Sequence, residues 1–297
     1  MGPRFLVMLG VLAAIWGAAF MLIEIGLRGF EPTTLIFVRL GSAALTLALL
    51  ELVRRRLGTT LARMRPQAGR LAFAGIVGVA APFFLIAWGQ QYVDSNIAAI
   101  LNASAPLFTV LLAALAVHSE RVTGVRLAGF LVGFGGVVLV VGGGPGEGGR
   151  SFAGALAIVA ATAFYAVGAL YAARRLQDLT PFEVSFGLLV WSAVVTAPAG
   201  LAALPGSDVG WKPVAAGIAL GVLATAFAFQ LYFGLIAGVG ASRAILVTYL
   251  VPALALVYGI VLLDEPLRWT AVGGLALVLA GVAFGTGAVR RREALAA

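Results

Sequence analysis

The sequence predicts an all-α membrane protein: ten transmembrane helices in two inverted five-helix repeats around a central cavity, with both termini in the cytoplasm. Three observations predict it. The composition is 62% apolar and 11% charged, with 39 glycines, whereas soluble domains run at about 45–50% apolar and about 25% charged. Ten apolar stretches each approach the roughly 20 residues that a helix needs to cross the hydrocarbon. The second five stretches also resemble the first five at an offset of 145 to 149 residues.

Punctuated at glycine and proline, the spans fall at 5–27, 32–53, 71–91, 95–117, 122–142, 151–173, 181–203, 212–236, 241–262 and 268–288. The longest link is the Arg-rich stretch 54–70, so no soluble domain fits between spans. The first stretch, Phe5 to Leu27, exceeds the roughly 7–15 residues of a signal-peptide apolar region. It carries Trp16 and Glu24, and removing it would leave nine spans and spoil the repeat. It is kept as a span.

Charge orients the bundle. With the amino terminus inside, fifteen arginines lie on the cytoplasmic side, against Arg28, Arg150, Lys212 and Arg268 outside and Arg39 within a helix. The excess of basic residues belongs inside, which requires an even number of spans. The net charge of +8 is therefore a topology signal. A nucleic-acid surface would need a basic face with interleaved aromatics, and there is one lysine and no such face. With no cysteine and one histidine, His118, no metal, redox or cofactor site is expected. The expected partners are a small-molecule solute and lipid, with no nucleic acid and the chain monomeric.

The repeat is visible residue by residue. Pro106 falls on Pro252, Glu120 on Glu265, Gly129 on Gly274, Gly136 on Gly281, and Glu31-Pro32 on Thr180-Pro181. This divides the chain into 1–146 and 147–297. Each repeat holds an odd number of spans, so the second copy enters the membrane from the opposite face. Such inverted halves can exchange conformations around a midplane site.

Across almost its whole length the sequence resembles the drug/metabolite transporter superfamily, EamA-type, ten-helix branch. The resemblance is carried by Trp16-Gly17-Ala18-Ala19-Phe20, by Pro32 followed by Arg39, by the run Ala98…Pro106…Glu120…Gly129…Gly136, and by its copy ending in Leu263-Asp264-Glu265-Pro266-Leu267. It implies export of amino acids or related metabolites, with aromatic amino acids the nearest substrate class. An exporter of drugs or other metabolites is the alternative, and a channel a more distant one.

Several residues are candidates for the work. A proline inside a helix frees a carbonyl and bends the helix, so Pro106 and Pro252 read as hinges beside the cavity, or as fixed kinks if nothing moves. Pro82 is a further candidate kink. Asn102 lies one turn before Pro106, Thr248 and Tyr249 hold the equivalent turn before Pro252, and Gln230 aligns with Phe84. Asn102, Gln230 and Tyr249 are candidates to hydrogen-bond an amino-acid backbone, or to bond neighbouring helices. Trp16, Phe20, Phe84, Trp88 and Tyr165 either line the cavity or face lipid; rings suit an apolar or planar solute. Trp191 and Trp269 read as interfacial. Arg39, about 10 Å below the outer end of helix two at helical rise, pairs with Glu24 across the hairpin or attracts a substrate carboxylate. Glu120 and Glu265 end helices four and nine at opposite faces, as gating groups or solvated helix ends.

No carboxylate stands midway along helix one, which favours uniport over proton-coupled cation export. There is no GK[ST] phosphate loop, so ATP drive is excluded. An enzyme is also excluded: there is no HExxH motif and there are no paired aspartates deep in the helices.

Overall fold

The computed structural model describes residues 2–116, 124–142, 149–206, 208–244 and 246–285. Among the described residues every regular element is helical. Seven runs are long and apolar enough to cross a membrane: Pro3–Leu27, Pro32–Val53, Leu57–Gly89, Ser95–Ala113, Gly149–Arg175, Pro181–Ala202 and Trp211–Val239. Three shorter apolar helices, Leu127–Gly142, Val247–Leu263 and Trp269–Gly285, complete the ten segments.

The first two helices are α1 (Pro3–Leu27) and α2 (Pro32–Val53). Both open on proline, whose fixed φ suits the first turn and whose missing N–H would have no partner there. The stretch 54–70, expected as a plain link, folds in part into α3 (Leu57–Met64), with Thr60 and Met64 turned inward. Thr60 Oγ1 donates to Glu51 Oε2 at 2.6 Å. The third span is α4 (Ala68–Gly75), a π-helical segment Ile76–Ala80 and α5 (Ala81–Gly89). The fourth is α6 (Ser95–Asn102) and α7 (Ala105–Ala116), and the fifth α8 (Val125–Gly142). The second half runs α9 (Gly149–Arg175), α10 (Pro181–Ala202), then α11 (Trp211–Gly221), a π-helical segment Val222–Phe227 and α12 (Ala228–Val239). It ends with α13 (Ala241–Ala244), α14 (Val247–Leu263) and α15 (Trp269–Gly285).

Successive spans alternate in direction. The near face is the end holding Pro3, where Phe5 sits against Gly238; at the far face Gly29 sits against Val209 and Pro213. At the near face α10 is fixed by a capping box, with Glu183 Oε2 accepting from Thr180 N at 2.7 Å, and Arg63 Nε pairs with Glu183 Oε1 at 3.0 Å.

The two π-helical segments occupy equivalent places, since Ile76 and Val222 differ by 146 residues. Each follows a glycine pressed against a neighbouring backbone, Gly75 against Leu188 O and Gly221 against Arg39 O. A wide turn leaves carbonyls in need of partners, and side chains of neighbouring helices supply donors: Ser192 Oγ donates to Gly75 O at 2.9 Å, and Trp16 Nε1 to Ala224 O at 3.2 Å. Pro82, expected as a kink, stands directly after the first π segment.

Helices α8 and α15 cross antiparallel on small residues. A Cβ at Gly129 would strike Gly285 N at 2.5 Å, one at Gly136 would strike Gly274 O at 2.8 Å, and one at Gly281 would meet Gly133. These contacts map onto themselves under the sequence offset: Gly129 on Gly285 becomes Gly274 on Val140, and Gly136 on Gly274 becomes Gly281 on Gly129. Small residues let backbones approach where lipid gives no hydrophobic drive between helices. The fifth segments of the two halves therefore run in opposite directions.

Large apolar side chains also point outward, such as Leu45, Val138, Val195 and Val261. Trp211 and Trp269 are 75% and 79% exposed at the far-face ends of α11 and α15, where an amphipathic ring suits the interface. This is the surface of a multi-pass membrane protein.

Candidate functional site

Helices four and nine approach each other through α6 and α14, with α1 against both. Helix four breaks at Ala103–Ser104, so Pro106 is the second residue of a new helix, where its missing N–H is tolerated. The break is satisfied locally: Ser104 Oγ donates to Leu101 O at 2.7 Å and lies 3.4 Å from Thr162 Oγ1 on α9. In helix nine the chain turns earlier, at Leu246, and Pro252 sits inside the continuous α14. Asn102 ends α6, and its Oδ1 is buried with no hydrogen-bond partner. Tyr249 is partly buried and packs on the core.

Glu265 reaches across the halves. Its Oε1 accepts from Ser95 N at 2.7 Å and its Oε2 from Asn96 N at 3.0 Å, so it caps the start of α6. The turn that aims it places Asp264 at φ 57°, and Glu265 N donates to Gly259 O at 3.0 Å. A Cβ at Gly259 would occupy the space of the Glu265 carboxylate, so the glycine leaves room for that side chain as it is placed here. A carboxylate on unpaired N–H groups at a helix start gains both hydrogen bonds and the helix dipole. Beside it, Asp94 Oδ2 lies 3.9 Å from Arg268 Nη2. Burial raises the Asp94 carboxyl above the usual aspartate range, the Glu265 charge adds to this, and Arg268 opposes it. Glu120 lies outside the described residues.

The expected pair of Arg39 with Glu24 does not form. Glu24 has Arg28, Glu265 and Asp94 as its charged neighbours. Arg39 instead turns inward, where Nε donates to Thr225 Oγ1 at 3.0 Å and the guanidinium lies 3.6 Å from the Phe83 ring centre. The reason is the π-helical segment in the eighth span. It carries Thr225, whose hydroxyl donates to Leu220 O at 2.8 Å and so offers its lone pair to Arg39. No sequence motif marks Thr225, although Gly75 and Gly221, one repeat apart and each just before a π segment, were a readable signal.

The aromatics divide among several helices. Trp16 meets Tyr232 at a tilt with ring centres 5.3 Å apart, Tyr165 meets Phe83 edge-on at 6.2 Å, and Trp88 meets Tyr92 at 5.0 Å. Phe20 is buried and its carbonyl accepts from Gln90 Nε2 at 3.0 Å; Phe84 is partly buried. Gln230 Nε2 donates to Ser185 Oγ at 3.1 Å, tying the eighth span to the seventh. Arg39, Phe83, Tyr165 and Thr225 thus form one group, whereas Gln230 and Trp88 belong to separate contacts. A surface hollow of about 360 Å³ between α7 and α9, lined by Leu112, Tyr171 and Arg174 among others, contains none of the polar candidates.

A family model described as the EamA-like transporter family matches residues 4–142 and 152–286. A probable terminal-alkyne amino-acid exporter of Streptantibioticus cattleyicolor is 33% identical over 273 residues, covering 90% of this chain and 88% of that protein. An uncharacterized transporter of Archaeoglobus fulgidus is 24% identical, with 93% and 96% covered. An uncharacterized inner membrane transporter of Escherichia coli is 27% identical, with 91% and 88% covered. A solved crystal structure shares the fold at a TM-score of 0.67 and 21% identity, covering 99% of this chain and 100% of that one.

Proposed function

The chain belongs to the EamA-like transporter family, and from that premise we propose that it exports neutral, bulky or aromatic amino acids, or close relatives of them, from the cytoplasm of a bacterium by alternating access. The near face is then cytoplasmic and the far face external. Residues 1–146 and 147–297 act as inverted halves, with their boundary outside the described residues. The carrying observation is the break in helix four beside Pro106, with the unpartnered Asn102 carbonyl at its edge. An unsatisfied acceptor inside a membrane protein is costly unless a ligand donates to it, and a substrate ammonium is such a donor. The 33% identical exporter supports the amino-acid class.

In this reading Glu265 closes the outer gate by holding α6, and Glu120, its repeat equivalent in the sequence, is the candidate for the inner gate. No carboxylate stands midway along helix one, so flux follows the solute gradient. The test is counterflow in proteoliposomes with labelled amino acids. Saturable flux stimulated by solute on the opposite side is the expected result and separates a carrier from a channel. Equal rates for glycine and phenylalanine would remove the aromatic preference. No flux of any solute would remove the function itself.

A further inference from the structure

Arg39 is the one basic residue buried in the interior of the described bundle, 6% exposed. A guanidinium carries five N–H donors, and only one, on Nε, has a protein acceptor, Thr225 Oγ1 at 3.0 Å. No carboxylate among the described residues lies within ion-pair distance of it. Among the described residues the remaining four N–H groups, on the two terminal nitrogens, have no protein acceptor. The side chain is nonetheless almost fully buried, so its donors are turned into the bundle and away from bulk solvent. The side chain is held rigidly for this. Phe83 lies flat under the guanidinium at 3.6 Å, and Thr225, fixed by its own bond to Leu220 O, orients the plane.

A buried, uncompensated cation in a membrane calls for an anion. The free end of a guanidinium, with its paired N–H groups, fits a planar carboxylate in bidentate fashion. A single positive charge balances one negative charge, which disfavours phosphates and nucleotides. The apolar faces of Phe83 and Tyr165 beside it suit the side chain of such a solute.

We infer that Arg39 is the anion-binding group of the transport site, taking the solute carboxylate end-on, so that the protein selects monocarboxylates. This rests on the transport reading above and names its substrate class.

The test begins with wild-type protein in proteoliposomes, using labelled amino acids and the corresponding carboxamides. The acids should exchange, and the carboxamides should move at least tenfold more slowly and compete weakly. Equal flux of acid and carboxamide overturns the role of Arg39 but leaves transport standing. Absence of flux for both overturns transport itself. Arg39→Gln should raise KM for the acid tenfold or more while thermal midpoint and kcat stay near wild type, and Arg39→Lys should recover part of the loss. An unchanged KM in Arg39→Gln overturns the inference. If Arg39→Gln fails to fold, the wild-type comparison of acid and carboxamide decides alone. Raising chloride at constant ionic strength should leave the flux unchanged; inhibition by chloride would assign Arg39 to a resident halide and overturn the inference.

Discussion

Helices four and nine share a proline and a partner helix in the other half, yet they are built differently. In helix four the chain breaks at Ala103–Ser104, just before Pro106, and the start of α6 is held by Glu265. In helix nine the chain turns at Leu246, about one helical turn earlier in the repeat, and Pro252 lies within α14. The same motif therefore supports two backbone shapes. In the proposed cycle each half adopts the two shapes in turn, which is the bistable element that alternating access requires. Where the halves agree, at the crossing of α8 and α15, contacts repeat under the offset. In the proposed cycle that crossing is the fixed axis, while helices four and nine supply the difference.

The strongest way to break this comparison is to make the prolines equal. Alanine favours helix over proline by about 3 kcal/mol, so Pro106→Ala should straighten helix four and reduce counterflow by roughly a hundredfold in a protein that still folds. Pro252→Ala, in a helix already continuous at that point, should slow flux far less. Equal losses would mean that the difference between the helices has no functional meaning. The fixed axis is tested next. Gly281→Leu and its repeat equivalent Gly136→Leu should each cost roughly 1–3 kcal/mol through overpacking, read as matched falls in thermal midpoint in detergent. Unequal falls would argue against the twofold relation.

The cap is expected to contribute about 1 kcal/mol, the usual value for a helix N-cap. Glu265→Ala should therefore shift the far face toward opening by several-fold to tenfold. The protein has no cysteine, so a single Ala98→Cys on α6 reports this through thiol labelling from outside, and unchanged labelling would remove the gate. The smallest effect is one of pH. Because Asp94 sits above the usual aspartate range when the far face is closed, it binds its proton more tightly there than when exposed. Acidification from neutral through that window should stabilise closure, and rising pH should loosen it. Asp94→Asn should flatten the dependence of labelling rate on pH. Gly240 stands at the equivalent place in the second half, so the near face should lack this response.

Much of the fold was legible because hydrocarbon tolerates so little. Span count and alternation follow from apolar length and from residues repeated at a fixed offset, whereas the glycine crossing of α8 and α15 emerges only in the structure. The site was legible only in part. Arg39 and Glu265 were visible as rare charges beside or inside spans, and Asn102 as an amide next to a proline. Their partners were not visible. Arg39 was expected to meet Glu24, the carboxylate nearest in the hairpin, but the π-helical segment brings Thr225 into place and Phe83 lies beneath the guanidinium. Gln230 and Trp16 were candidates for a cavity, and the structure gives each a bond to a neighbouring helix, to Ser185 and to Ala224 respectively.

The sequence by itself determined ten crossings, the duplication and the small set of polar groups that the membrane has to accommodate. Each of these depends on composition and spacing along one chain. The tertiary structure decided which carbonyls the π segments free, where helix four breaks and helix nine turns, and which helix start receives Glu265. Those outcomes depend on neighbouring backbones meeting at particular heights, as at Gly75 and Leu188 or Gly221 and Arg39, and a linear pattern does not encode the height at which two distant segments meet.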